Sequence, residues 1–219
     1  MLTYAEIIKS EAIKTYIIRA DESLRALGYT EHSFAHVMHA AETAGYILQT
    51  MGYDDHTVEL AKIAGYLHDI GNLVNRKDHS QSGAVMAWSI LNDMDCDPAD
   101  VATIVTAIGN HDEGTGVPVN PVAAAMILAD KADVRRSRVR NQELSAFDIH
   151  DRVNYSVIES SLKISDDKSL IRLKLTVDTQ YGSVMDYFEI FLQRMLLCRK
   201  AAETLGLRFT LIINEQQLI

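Results

Sequence analysis

Apolar residues over positions 1–142 recur every three or four residues, which is the spacing of amphipathic helices. Polar residues with cap preference and prolines precede several of these segments, as expected for helix starts. The pattern predicts a helix over 4–27, one from Thr30 or Ser33 to Met51, one that opens at Asp54, one that starts at His79, one that starts at Pro98, and one with Asp130 in its middle.

The pattern changes near Asn141, where the alternation of strands replaces helical spacing. In the segment 170–178 apolar residues alternate with polar ones, as in a strand with one buried face. This region predicts, in order, a polar helical stretch over 144–153, strands over 155–164 and 170–178, a helix from Ser183 to Leu205 that ends at Gly206, and a strand over 207–214.

The change divides the chain into two predicted domains. The fold class expected is mainly α, with a helical bundle over 1–142 and a small α+β (β-β-α-β) domain over 143–219. A sheet of this size with one helix is a small unit. We therefore expect it to dock on the helical domain or on a second copy of itself, and a homodimer through the C-terminal domain is one expectation.

An imidazole and a carboxylate, His68 and Asp69, stand side by side at the end of the apolar helix that opens at Asp54. Gly71 follows where a C′ glycine ends a helix. We expect the pair in the last turn, where adjacent side chains can converge. Neutral imidazole with carboxylate suits a divalent metal of the zinc, iron or manganese kind. Further candidates to complete a site are His36, His79, His111 and Asp130.

Asp130 lies among apolar neighbours, and burying an unpaired carboxylate is costly. Its partner is either a metal ion or a salt bridge to Lys131 or Arg135. Two further histidines near His36, His32 and His39, are expected to be surface residues or indirect contributors to the site.

Lys131, Arg135 and Arg138 follow at i, i+4 and i+7, which predicts one cationic stripe on a helix. The stripe is either a phosphate clamp beside the metal or a solvated face partly neutralised by Asp133. Lys131 and Arg135 lie nearest in sequence to Asp130, and they are the candidates for catalytic contacts to phosphate.

Together the candidates give the order H…HD…H…H…D, which resembles the HD superfamily of metal-dependent phosphohydrolases. The resemblance covers residues 30–140, about half of the chain. YLHDIGN is similar to the HD box of the family, and HSQSGAVMAWSIL (79–91) resembles its third box. NHDEGTGVP (110–118) is similar to a loop of the HD-GYP branch in shortened form, and ILADKADVRRSR (127–138) resembles the closing helix.

This resemblance implies that His36, His68, Asp69 and Asp130 hold one divalent ion. His79 and His111 would contribute to a second ion, with Asp69 bridging the two. The activity implied is hydrolysis of a phosphate ester or anhydride of a small molecule, with a nucleotide as the leading class, by metal-activated hydroxide. Iron, manganese, nickel, cobalt, zinc and magnesium are not distinguished by such ligands.

Two departures from the family pattern bear on specificity. HD-GYP proteins have a paired histidine where this chain has Asn110-His111, and the HD box commonly ends in lysine where this chain has Asn72. Both argue against cyclic-dinucleotide hydrolysis. The segment after His36 also resembles the HD-type symmetrical diadenosine tetraphosphate hydrolases. The rival interpretation is a catalytically weak ligand-binding or regulatory module with a sensing or dimerising C-terminal domain.

The composition of the chain limits the classes of partner that we expect it to bind. The chain has 219 residues, 47% of them hydrophobic, which is enough for a core. Its formal charge of −9 argues against general nucleic-acid binding, but a metal cluster can still attract a small phosphorylated substrate. No apolar run approaches the roughly 20 residues of a membrane span, and the N-terminus lacks signal-peptide features. With Cys96 and Cys198 expected as free thiols, we expect a cytoplasmic location.

Overall fold

Most helices of the N-terminal region begin at a side chain that caps them. The computed structural model describes residues 2–141, 143 and 147–218. Ser33 and Asp97, for example, accept a hydrogen bond from a backbone N–H in the first turn of the helix that follows. Within these residues the α-helices are α1 (Tyr4–Ile7), α2 (Glu11–Ala26), α3 (Phe34–Met51), α4 (Asp55–Leu67), α5 (His79–Asp93), α6 (Pro98–Gly109), α7 (Pro121–Ala132), α8 (Ile149–Ser156) and α9 (Val184–Thr204), with 3-10 turns over Ile70–Leu73 and Arg136–Arg138.

The predicted helix over 4–27 is in fact two helices. α1 ends at Ile7, and the hydroxyl of Ser10 accepts a hydrogen bond of 3.4 Å from the N–H of Ile13 at the start of α2. Serine competes for backbone donors in this way and favours caps over helix interiors. Because Ile7 and Ile13 are both fully buried, the break does not reduce the apolar face.

The predicted cationic stripe after Asp130 is wrong. α7 ends at Ala132, so Asp130 lies in its last turn and Arg135 lies beyond the helix. Asp133 leaves the helical conformation at ψ 74°, and its carboxylate is engaged by side chains from other elements. Arg138 likewise belongs to a separate 3-10 turn.

The core of the bundle is formed by α3, α4 and α7, which pack against one another. α3 and α4 approach so closely that a Cβ on Gly65 would lie 2.8 Å from the Cα of Ala41. Glycine at that position lets the two backbones touch, which brings the C-terminal end of α4 against the first turns of α3.

The C-terminal region carries a sheet that is four-stranded over the described residues, in the order β1-β2-β3-β4. β1 pairs antiparallel with β2, β2 pairs parallel with β3 across α9, and β3 pairs antiparallel with β4. The predicted β-β-α-β order is confirmed, and the short last strand was not predicted. The strands are β1 (Val157–Ile164), β2 (Leu170–Val177), β3 (Arg208–Ile213) and β4 (Gln216–Gln217).

β1 begins at Val157, two residues after the predicted start at 155, because α8 continues to Ser156. The predicted helical stretch over 144–153 and the domain boundary fall partly outside the described residues, since 142 and 144–146 are not described. The division into two domains therefore stays a prediction.

α9 packs against α7 and against β3. Apolar residues of the bundle, the sheet and α9 belong to one contiguous buried cluster. This packing brings the middle of α9 close to the C-terminal end of α7. Among the described residues, no helix combines the length and the apolar character that crossing a bilayer requires.

Candidate metal centre

The side chains that the sequence predicts as metal ligands converge at one buried point. They come from helix ends: the first turns of α3 and α5, the residues that follow α4 and α6, and the last turn of α7. We call this group the His/Asp cluster. It consists of His36, His68, Asp69, His79, His111 and Asp130, all of them buried.

The imidazoles of the cluster face one another in two pairs. Nε2 of His36 lies 3.3 Å from Nε2 of His68. Nε2 of His79 lies 3.1 Å from Nε2 of His111. The rings of His68 and His111 meet edge to face, with 5.1 Å between their centroids, so the two pairs adjoin.

The second ring nitrogen of each imidazole lies against an oxygen atom. Carbonyl and carboxylate oxygens only accept hydrogen bonds, so Nδ1 is a protonated nitrogen and Nε2 carries the lone pair of the neutral ring. Two facing lone pairs repel unless a proton or a cation lies between them, and this donor set fits a divalent ion. The Nδ1 contacts join His36 to the carboxylate of Asp133 at 2.7 Å and join His68 to Gly65 O at 2.8 Å, His79 to Arg76 O at 3.1 Å and His111 to Ile108 O at 2.7 Å.

Asp69 contacts both imidazole pairs. Its Oδ2 lies 3.2 Å from Nε2 of His68 and 3.4 Å from Nε2 of His36, and its Oδ1 lies 3.5 Å from Nε2 of His79. The amide of Asn72, which stands where the family commonly has lysine, donates a hydrogen bond of 2.9 Å to Oδ1. Asn72 therefore fixes the orientation of the carboxylate that spans the cluster.

Asp130 has different neighbours at its two oxygens. Oδ1 lies 3.4 Å from Nε2 of His36 and 3.7 Å from Nε2 of His68, whereas Oδ2 lies 2.7 Å from Nζ of Lys131. The metal contact and the salt bridge that the sequence offered as alternatives are thus both open to one carboxylate.

Charges within the cluster oppose the effect of burial. Burial alone would raise the pKa of Asp69 and Asp130, but His68 beside Asp69 and Lys131 beside Asp130 hold both pKa values well below the usual range. Burial and Arg138 disfavour a charge on His36, yet three neighbouring carboxylates raise its pKa to about 10. The carboxylates thus attract positive charge to this point, which a proton or a metal ion can provide.

Asp133 supports the cluster from behind His36. It is 2% exposed and accepts hydrogen bonds from Nδ1 of His36 at 2.7 Å and from Nε of Arg135 at 2.6 Å. Arg138 donates from Nη1 to the backbone oxygen of Asp133 at 2.7 Å and from Nε to that of Glu31 at 2.9 Å. Arg135, which the sequence predicts as a phosphate contact, is therefore bound to the carboxylate of Asp133, on the side of His36 that faces away from the cluster.

Lys131, the other predicted phosphate contact, is buried in a chain of alternating charges. Its Nζ lies 2.7 Å from Oδ2 of Asp130 and 3.3 Å from Oε2 of Glu113. Arg194 of α9 donates from Nε to Oε1 of Glu113 at 2.9 Å. The C-terminal helix is thus connected to the cluster through Glu113 and Lys131.

Gly71 has a different role from the predicted helix-ending glycine. It is absent from the glycines with positive φ among the described residues, and it lies in the 3-10 turn after α4. A Cβ on Gly71 would lie 1.9 Å from the carbonyl oxygen of His79 and 2.4 Å from the backbone nitrogen of Gly83. Glycine is needed because α5 approaches the turn so closely.

Sequence reasoning assigned no role to several residues around the cluster. Arg76 belongs to a loop with no predicted function, but its Nη1 lies 3.4 Å from Nε2 of His79 and 3.9 Å from Oδ1 of Asp69. His32, expected at the surface or as an indirect contributor, is partly buried, and its ring centroid lies 5.5 Å from that of His36. The position of Arg76 three residues before a predicted ligand was the available signal.

Three comparisons relate this chain to known proteins. The HD domain family model matches residues 33–153, more than half of the chain and the whole of the His/Asp cluster. The uncharacterized protein MJ1020 of Methanocaldococcus jannaschii is 23% identical over 205 residues, which cover 83% of this chain and 78% of that protein. The crystal structure of a predicted HD superfamily hydrolase from an uncultured Thermotogales bacterium is 23% identical with a TM-score of 0.47, covering 61% of this chain and 75% of that one.

Proposed function

Because this chain belongs to the HD domain family, we propose that it is a metal-dependent phosphohydrolase that cleaves a phosphate ester or anhydride of a small molecule. A nucleotide is the first substrate class to test. The observation that carries the proposal is the pairing of imidazole Nε2 atoms at 3.1–3.3 Å around a shared carboxylate. Such pairs require positive charge between them.

Two overlapping groups of side chains would hold divalent ions. A bound divalent ion supplies Lewis acidity and activates water at neutral pH. In each group the ligand atoms lie within 4.8 Å of one another: His36, His68 and Asp130 in the first, and His68, Asp69 and His111 in the second.

The chain's own groups hold this arrangement ready. The Nδ1 contacts of His68 and His111 fix these two rings and leave their Nε2 lone pairs directed into the cluster. Lys131 keeps Asp130 ionised, and Asn72 orients Asp69. Because the cluster is buried among helix ends, bulk water is limited around it and charge interactions there are strengthened.

The test combines metal analysis with turnover. Protein purified without chelator is analysed for metal content, then assayed on p-nitrophenyl phosphate, bis-p-nitrophenyl phosphate and a nucleotide panel with Mn²⁺, Fe²⁺, Co²⁺ or Ni²⁺. We expect at least one ion per chain and turnover that Asp69→Ala abolishes while the circular dichroism spectrum is kept. Asp166→Ala, in the exposed turn between β1 and β2, is the matched control.

Clearly less than one ion per chain, or full activity in Asp69→Ala, would refute the proposal. The rival regulatory module is favoured by one contact, the guanidinium of Arg76 beside Nε2 of His79, because a cation already lies next to the second pair. Bound metal without turnover on the whole panel would support that rival. The homodimer through the C-terminal region is kept as a further proposal, tested by light scattering during gel filtration.

A further inference from the structure

A cavity of about 610 Å³ lies between the bundle and the C-terminal region. We call it the α9 cavity. Its walls include Arg76 and Glu113 from beside the His/Asp cluster and Phe191 and Arg194 from α9. The volume falls within the range of sites for small organic ligands and exceeds the needs of a phosphate group alone.

Arg194 has a free edge in this cavity. Its Nε is bound to Glu113, and its guanidinium carbon lies 4.3 Å from the ring centroid of Phe191. Within the described part of the chain, its Nη groups make no hydrogen bond, and the side chain is 21% exposed. A stacked guanidinium fixed at Nε presents its remaining donors in one direction, which suits an anionic oxygen.

Arg76 also lines this cavity and likewise lies over an aromatic ring. Its guanidinium carbon lies 5.8 Å from the ring centroid of Tyr29, and the side chain is 29% exposed. Nη1 lies beside the cluster, 3.9 Å from Oδ1 of Asp69. The cavity therefore has one arginine at the cluster and another on the C-terminal helix.

We propose that the α9 cavity binds the substrate of the phosphohydrolase proposed above, with Arg76 and Arg194 binding the phosphate of a phosphomonoester. This assignment rests on the proposed function. The two guanidinium groups and the His/Asp cluster together require three acceptor oxygens. A phosphomonoester has three non-bridging oxygens and close to two negative charges at neutral pH. A phosphodiester has two non-bridging oxygens and one negative charge. The monoester is therefore the better match.

The remaining walls fit an organic group that carries hydrogen-bonding functions. Tyr29 and Ile190 offer apolar surface, while Asp148 and Asn154 of the α8 region offer polar atoms. The C-terminal region thus forms part of the substrate site of its own chain. Arg194 lies outside the residues matched by the family model, so its role belongs to this chain's C-terminal region.

The test measures binding separately from catalysis. Methyl phosphate and dimethyl phosphate, a matched monoester and diester, are titrated calorimetrically into the Mn²⁺-loaded protein and into the chelator-treated protein at pH 7.5. The variants are Arg194→Met, Arg194→Lys and Arg76→Met, and Arg199→Met on the exposed face of α9 is the matched control. Thermal unfolding verifies that each variant is folded.

We expect methyl phosphate to bind more tightly than dimethyl phosphate. Arg194→Met should lower the affinity for methyl phosphate roughly 10- to 100-fold. Arg194→Lys should recover part of the loss, and Arg199→Met should bind like the wild type. If Arg194→Met does not fold, Arg76→Met carries the same expectation.

Equal binding by Arg194→Met and the wild type, a preference for dimethyl phosphate, or no binding of methyl phosphate at millimolar concentration overturns this assignment. Arginine-dependent binding of methyl phosphate without turnover on any substrate supports the phosphomonoester site and removes the proposed hydrolase. In an active enzyme, we expect Arg194→Met to raise KM for p-nitrophenyl phosphate more than it lowers kcat.

Discussion

Replacing Asp133 by asparagine tests whether the cluster depends on the carboxylate behind it. The substitution keeps the shape of the side chain and removes its charge. Asp133 is buried and accepts hydrogen bonds from His36 and Arg135, while Arg138 lies 3.8 Å from its Oδ2. Breaking a buried ion pair from one side typically costs about 3–5 kcal/mol, because the partner charge is left unpaired.

Arg138 is 5% exposed, so water cannot replace the lost carboxylate there. We therefore expect Asp133→Asn to lower the free energy of unfolding by about 3 kcal/mol at pH 7, the lower end of that range, because asparagine still accepts one hydrogen bond. Because the substitution also removes the carboxylate that accepts a hydrogen bond from His36, we expect the affinity for metal to fall by about 10- to 100-fold. Arg135→Met is the matched control, with a loss near 1 kcal/mol since that guanidinium is 31% exposed.

The pH dependence follows from the lowered pKa of Asp133. Burial alone would raise this pKa, but hydrogen bonds from His36 and Arg135 lower it. A depressed pKa contributes stability above the unfolded-state value of about 3.9, and that stability is lost as the pH falls below it. The difference in free energy of unfolding between the wild type and Asp133→Asn should thus be constant from about pH 7 to pH 5 and become smaller below about pH 4.

Urea unfolding followed by circular dichroism measures the stability change, and competition with a chromophoric chelator measures metal affinity. An Asp133→Asn protein whose free energy of unfolding lies within about 0.5 kcal/mol of the wild type would refute the reasoning about the buried pair. Unchanged metal affinity in a folded variant would separately refute the supporting role for His36.

Other expectations concern the turn, the thiols and the metal. Gly71→Ala should cost about 3 kcal/mol or more in thermal unfolding, because its Cβ would meet the carbonyl of His79; a wild-type melting temperature would contradict this. Burial raises the pKa of the Cys198 thiol to about 12, so roughly one molecule in 10⁴ is thiolate at pH 8. In Cys96→Ser, we therefore expect a disulfide reagent to label the protein only after unfolding, and rapid labelling of the native protein would count against it. Mn²⁺ at 100 times its Kd should raise the free energy of unfolding by about 2.7 kcal/mol in the wild type and leave Asp69→Ala unchanged; equal shifts in both proteins would mean that the ion binds elsewhere.

Local patterns were enough to predict the fold class, and the resemblance to the HD superfamily supplied the set of residues that the structure brings together in the His/Asp cluster. Helical spacing and caps place His36 at the start of α3 and His79 at the start of α5, and the resemblance to the HD superfamily is confirmed by the family match. The β-β-α-β order of elements along the chain was likewise predictable, and the alternation of apolar and polar residues along β2 is seen in its burial pattern.

The supporting contacts could not be predicted, because they join residues far apart in sequence. Asp133 meets His36 across 97 positions, and Arg194 meets Glu113 across 81. Each of these charged residues is equally compatible with a solvated face when viewed locally. The predicted helix through Arg135 is wrong in the same region, where Asp133 leaves the helical conformation and binds the distant imidazole of His36.

The close contact between Gly71 and the start of α5 has a consequence for ion loading. The turn that carries His68 and Asp69 touches the backbone that carries His79, so a shift of this turn toward α5 also displaces His79. Affinities of two ions in such a frame are linked, and each changes the affinity of the other by the same factor. Occupancy of the two positions should therefore follow a cooperative isotherm, of either sign.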